Sequence, residues 1–130
     1  MARPKYPQPT PAELEALHVL WDKGPSTVRE VMEVLEDSRP RAYTSVMSLL
    51  SVMAEKGLCD RDLRGRAFVY KPKLDRGQTQ GGLLGDIVKR AFGGSASSLV
   101  AQLLEQTRPS SSEVDQIKKV VSEYDKKHKK

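Results

Sequence analysis

Apolar residues recur along the chain in short stripes whose period changes twice. Between residues 11 and 23, Leu14, Leu17, His18 and Trp21 follow the 3.6-residue spacing of one helical face, and Val19 and Leu20 widen it. Thr10-Pro11-x-Glu13 in front supplies an N-cap hydroxyl, a proline at the first helical position and a glutamate able to close a capping box. Gly24-Pro25 ends this helix, with His18 at the edge of its buried stripe. Ser26 is placed to cap a second helix, in which Val28, Val31, Met32 and Leu35 repeat the pattern before Ser38-Arg39-Pro40 stops it. A third helix begins near Ala42, buries Val46, Leu49, Leu50 and Met53, and closes at Gly57 in the position of a left-handed C-cap.

The period then shortens. Residues 58–63 and 67–71 are extended runs around Arg64-Gly65-Arg66, with Phe68, Val69 and Tyr70 as strand formers and Pro72 as a stop, so the pattern predicts a β-hairpin. Cys59 reads as a small residue of the first strand. Residues 74–82, LDRGQTQGG, carry no apolar period and read as a linker or a frayed helix start. Helical spacing returns in three stripes: Leu83, Leu84, Ile87, Val88, Ala91 and Phe92; then Leu99, Val100, Leu103 and Leu104; then Val114, Ile117, Val120, Val121 and Tyr124. Ser95 and the Ser110-x-x-Glu113 box mark the starts of the second and third.

Three helices followed by a basic-tipped hairpin outline a winged helix-turn-helix, and the expected fold is mainly α with one small β-hairpin. The outward face of the third helix is unusual for a solvated surface, because Thr44, Ser45, Ser48 and Ser51 are poorer helix formers than glutamate or lysine. In a helix-turn-helix the second paired helix enters the major groove, where a slim hydroxyl face can reach phosphates and base edges. Arg41 and Tyr43 at the helix start are then expected to meet backbone or bases, and Arg64 and Arg66 at the wing tip to meet phosphates or the minor groove.

Charge distribution strengthens this reading. Residues 11–37 hold two basic against seven acidic side chains, whereas residues 39–76 hold nine against four. The chain as a whole carries a formal charge of +5. Composition sets limits on the alternatives. With 130 residues and 38% hydrophobic content, the chain can bury one modest core and a second small one. No run approaches the roughly 18 apolar residues of a membrane span, and MARPKYPQPT lacks the apolar stretch of a signal peptide, so a cytoplasmic protein is expected. One cysteine and two distant histidines make neither an internal disulfide nor a metal cluster, and no cofactor motif is present. Catalysis is disfavoured too: Ser110, Ser111 and Ser112 have no histidine close by in sequence, and no glycine-rich phosphate loop follows a strand. The competing reading is a winged-helix module that binds proteins, which would be insensitive to salt.

The domains are expected at 1–76, winged and DNA-binding, and 77–130, helical with a basic tail. The three C-terminal helices bury too little apolar surface alone to offset chain entropy, and pairing with a second copy corrects this. Leu83, Leu84, Ile87, Val88, Phe92, Leu99, Val100, Leu103, Leu104, Ile117, Val121 and Tyr124 are the expected homodimer contacts. A twofold dimer also sets two recognition helices one DNA turn apart, which suits a palindromic site.

TPAELEALHVLWDKGPSTVREVMEVL, RAYTSVMSLLSVMAEKGL, GRAFVYKP and FGGSASSLVAQLLEQ occur in an order and spacing that resembles the BlaI/MecI family of penicillinase repressors, from about Thr10 to Tyr124. The resemblance implies a homodimeric repressor with an N-terminal winged helix and a C-terminal dimerisation domain, seated on palindromic operators of antibiotic-resistance or stress genes. In penicillin-responsive members a membrane sensor protease signals β-lactam, and the repressor is cut in its dimerisation domain. Carried over by motif, that bond lies between Gln102 and Leu103, where those members have asparagine and phenylalanine. A second departure is Val52, which stands where the family commonly has an arginine. A copper-responsive branch resembles the N-terminal half but ends in a cysteine-rich tail. This chain ends in DKKHKK, without the soft thiolates that Cu(I) requires.

Overall fold

The computed structural model of the protein describes residues 8–129. The elements run α1 (Pro11–Lys23), β1 (Ser26–Thr27), α2 (Val28–Leu35), α3 (Tyr43–Lys56), β2 (Cys59–Arg64), β3 (Ala67–Pro72), α4 (Arg76–Ala91), α5 (Ala96–Thr107) and α6 (Ser111–His128). Two compact units meet between Gly85 and Asp86, inside α4 and beyond the 76/77 boundary expected from the glycines.

In the first unit the capping signals form as the sequence predicts. The Thr10 hydroxyl accepts from the Glu13 N–H at 3.2 Å, and the Glu13 carboxylate accepts from the Thr10 N–H at 2.8 Å, closing a capping box on α1. Gly57 ends α3 at φ +83°, a conformation that costs glycine nothing extra. The second helix differs from expectation. Its N-cap is Thr27, which forms the box with Glu30, while Ser26 is buried and donates its hydroxyl to the Gly24 carbonyl at 2.8 Å. Either hydroxyl could cap by type. Ser26 is claimed instead by β1, where Ser26 pairs with Tyr70 and Thr27 with Val69. This short strand covers an edge of β3 that would otherwise leave its backbone groups unpaired, and it makes a three-stranded antiparallel sheet in the order β1-β3-β2.

The core lies between the three helices and the sheet. Leu17, Leu20, Val31, Val46, Leu50, Met53 and Leu58 are fully buried, and Tyr70 of β3 reaches in among them. Cys59 is buried at the start of β2 with its thiol 3.9 Å from the Leu50 carbonyl, and burial pushes its pKa up to about 11. A thiol so protonated is a packing residue, as its place in the strand implied. Trp21 donates its indole N–H to the Leu74 carbonyl at 3.0 Å, fastening the segment after β3 to α1.

Of the two forms expected for residues 74–82, the helix start is the one present: α4 begins at Arg76 and carries Gly77, Gly81 and Gly82 within it. The Asp75 carboxylate accepts from the Gln78 N–H at 2.7 Å, a start signal that the glycines mask in the sequence. Thr79, one turn in, is buried and donates to the Asp75 carbonyl.

In the second unit, Ser95 and Ser110 cap α5 and α6 by accepting from the N–H groups of Ser98 and Glu113, each at 3.1 Å. Neither helix buries a single residue fully. Their apolar stripes are therefore formed without being covered.

Candidate nucleic-acid interface

α2 and α3 are the paired helices of the helix-turn-helix, and β2 and β3 form the wing beside them. Thr44, Ser45 and Ser48 are exposed on α3, as the face pattern predicts, and Tyr43, Met47 and Val52 share that outer surface. Ser51 is different. It is half-buried and accepts from Arg61 Nη1 at 3.3 Å, so it links α3 to the wing and does not face outward. Arg61 also lies over the Phe68 ring at 4.7 Å, a contact between the two strands of the wing that holds the arginine whose guanidinium reaches Ser51. Arg64 and Arg66 flank Gly65, whose φ of +62° permits the tight turn, and both side chains are exposed at the wing tip.

Arg41 too is placed differently from expectation. Its side chain is only 10% exposed, and its Nη2 donates to Glu15 at 2.8 Å and to the Ser38 hydroxyl at 3.1 Å. The hydrogen bond from Arg41, aided by the charges of Arg41 and Arg39, holds the Glu15 carboxyl below its usual range. At the other end of α3, Lys56 donates to both carboxylate oxygens of Glu13, at 2.7 and 3.0 Å. Two acids of α1 thus grip α3 near its two ends.

These pairs explain why the charge reversal along the sequence matters less than which cations it leaves over. Lys23, Arg39, Arg41, Lys56 and Arg76 each lie within ion-pair distance of a carboxylate of α1 or α2. Among the described residues, Arg29, Arg61, Arg64, Arg66, Lys71 and Lys73 have no carboxylate within 4.0 Å. Within the described part of the first unit, the cations left without an ion pair therefore lie mostly on the wing, joined by Arg29 from the first turn of α2.

Arg29 is the functional candidate that sequence reasoning passed over, because it lies in the acidic half of the chain. Its guanidinium sits 5.9 Å from the Tyr43 ring centroid. With Tyr43, Met47, Arg66 and Phe68 it lines a depression between α3 and the wing. The sequence holds one usable hint, a basic residue two positions after an N-cap, where helix ends attract anions and repel cations. Among the described residues no group of three His, Cys, Asp or Glu could hold a metal ion, and no helix is long and apolar enough to cross a membrane.

The residues expected at a dimer contact keep their apolar character on the surface. Leu84, Ile87, Val100, Leu103, Val121 and Tyr124 are exposed, and Leu83, Val88, Phe92, Leu99, Leu104 and Ile117 are half-buried. Gln102 and Leu103 both sit in mid-helix on α5, exposed, with their backbone inside the helical ladder.

Comparison with known proteins agrees with this geometry. The penicillinase repressor family model matches residues 9–123. The chain is 26% identical over 125 residues to the penicillinase repressor of Bacillus licheniformis, covering 96% of this chain and 98% of that one. It is 32% identical over 111 residues to the transcriptional regulator BlaI of Mycobacterium tuberculosis, covering 84% and 79%. The solution structure of the DNA-binding domain of the repressor BlaI superposes with a TM-score of 0.50 at 30% identity, over 57% of this chain and 90% of that one. With the winged helix matched in structure and the family model spanning both units, the chain belongs to the penicillinase repressor family.

Proposed function

We propose that the protein is a cytoplasmic, homodimeric transcriptional repressor that binds double-stranded DNA at a palindromic operator and controls antibiotic-resistance or stress genes. The observation that carries this reading is the adjacency of a slim hydroxyl face on α3 to a wing whose arginines are unneutralised. One surface can fill a major groove, and the other supplies the charge that holds the flanking backbone. The apolar stripes of α4, α5 and α6 support a dimer, because helices with no fully buried side chain gain a core when a second copy covers them.

Release from DNA fits loss of that dimer. Joining two half-site contacts raises affinity by orders of magnitude, and cutting the chain between them removes the gain. The bond between Gln102 and Leu103 lies within α5, so a membrane-sensor protease acting there has to unwind part of the helix first.

Variants separate the two kinds of contact. Arg64→Ala and Arg66→Ala are each expected to weaken operator and random duplex about equally, and to lower the slope of log K against log salt by roughly 0.9 for each phosphate no longer neutralised. Thr44→Ala and Ser45→Ala are expected to cost about 1–3 kcal/mol on the operator and little on random duplex. Fluorescence anisotropy against both duplexes reads the difference. Equal losses on both for all four variants would remove the assignment of roles.

A further inference from the structure

The outward face of α3 that carries Thr44 and Ser48 has an apolar member between them. Met47 follows Thr44 by three positions and precedes Ser48 by one, so the helical period sets it on the same face. It is 44% exposed, whereas Met53 of the same helix is fully buried and Met32 of α2 packs against the core. A lone exposed apolar side chain is ordinary on a protein surface. Met47 is not alone. Tyr43, one turn before it, and Phe68 of the wing are also exposed, and all three line the depression between α3 and the wing with Arg29 and Arg66.

Neither arginine has a carboxylate within 4.0 Å among the described residues. The apolar surface therefore lies among cations left open, a setting that suits a polyanion carrying an apolar group and not a purely apolar partner. DNA offers one such group in its major groove. Guanine, cytosine and adenine present only hydrogen-bond donors and acceptors there, and thymine adds its C5 methyl. Thr44 and Ser48 can serve donors and acceptors. Met47 has no donor and only a weak acceptor, so removing a methyl group from water is what it can gain by. Its unbranched thioether adjusts to the position of that methyl without strain.

We infer that Met47 reads thymine: its side chain packs against the C5 methyl of one thymine in each operator half-site, which makes it a specificity-determining residue beside the hydroxyls of α3. This rests on the DNA-binding reading and goes beyond it by naming a base. Because the contact is uncharged, it adds to sequence choice and nothing to the salt dependence.

The test uses the full chain and the tightest duplex selected from a random pool. Each thymine is replaced in turn by deoxyuridine, at the same position of both half-sites, which keeps the base pair and removes only the methyl group. Anisotropy then gives affinities and salt slopes for the wild type, Met47→Ala and Met47→Leu, with thermal melts to confirm folding. At one thymine position the uracil duplex is expected to bind the wild type about three- to tenfold more weakly. Met47→Ala is expected to bind the thymine and uracil duplexes equally, Met47→Leu to keep the discrimination, and all three proteins to share one salt slope. If no uracil weakens wild-type binding, or if Met47→Ala discriminates as well as the wild type, the inference is overturned while the selected duplex leaves the DNA-binding reading intact. Equal losses by Met47→Ala on selected and random duplexes also overturn it, because Met47 then only shapes the surface between α3 and the wing. A pool that yields no enriched duplex overturns both readings together.

Discussion

Leu103→Asp is expected to make the protein monomeric and to weaken operator binding by about 10²–10⁴-fold, with far less effect on the fold of the winged unit. Leu103 lies mid-way along α5 and is 44% exposed, so an aspartate there is tolerated by the isolated chain. In a dimer whose stripes meet, the same carboxylate is placed in a desolvated apolar contact and has no partner. The loss of affinity arises because two half-sites no longer bind as one ligand. Sedimentation and anisotropy on the same samples separate the two effects. A variant that remains dimeric would move the interface away from α5, and a monomer that binds the operator as tightly as the wild type would remove the dimer from the mechanism.

Lys56→Ala is expected to destabilise the winged unit by about 2–4 kcal/mol at neutral pH, with the deficit shrinking in acid. Glu13 is only 3% exposed, and Lys56 is its charged partner. Burial alone raises the Glu13 pKa, but hydrogen bonds from Lys56 and the Thr10 backbone outweigh it, so the net shift is downward from 4.5. A carboxylate lowered in the folded state stabilises the protein above its unfolded value, and that contribution fades as pH falls through the folded value. Without Lys56, burial is opposed only by the Thr10 hydrogen bonds, so the Glu13 pKa moves upward and the variant recovers ground relative to the wild type as pH falls. Urea unfolding of both proteins at neutral and acid pH measures this, and an equal deficit at both would show that the pair contributes packing and not charge.

This contact is also where the limits of sequence reading become physical. Local signals were legible: Thr10 and Glu13 close a capping box, Gly24 and Gly57 end α1 and α3, and the 3.6-residue stripes bury Leu17, Val31, Val46 and Leu50. Features settled by distant partners were not. Ser26 looks like a cap until β3 provides a strand for it to pair with, forty-four positions away at Tyr70. Arg41 looks like a DNA contact until α1 brings Glu15 to it from 26 residues away. Nothing in the spacing of either residue announces the other.

The candidate interface divides in the same way. Thr44, Ser45 and Ser48 follow from helical period, and Arg64 and Arg66 from the hairpin turn, and all five lie exposed where that reasoning put them. Arg29 sits in the acidic stretch of the sequence and is an open cation only in the fold, where the nearby carboxylates of α1 and α2 pair with other residues. Net charge by segment counted cations that the fold neutralises, such as Lys56, together with cations that it leaves open. The α4 start shows a subtler loss, since the Asp75–Gln78 bond was present in sequence but outweighed by three helix-weakening glycines.

The most direct test of the central claim is selection of tight binders from a pool of random duplexes, followed by their affinities as salt is raised from about 50 to 200 mM. The account predicts a two-fold palindrome with half-sites about one helical turn apart, bound by a dimer, with affinity falling by orders of magnitude over that range. No enriched sequence, with weak binding that salt leaves unchanged, would contradict it and would turn the same exposed helix and wing towards a protein partner.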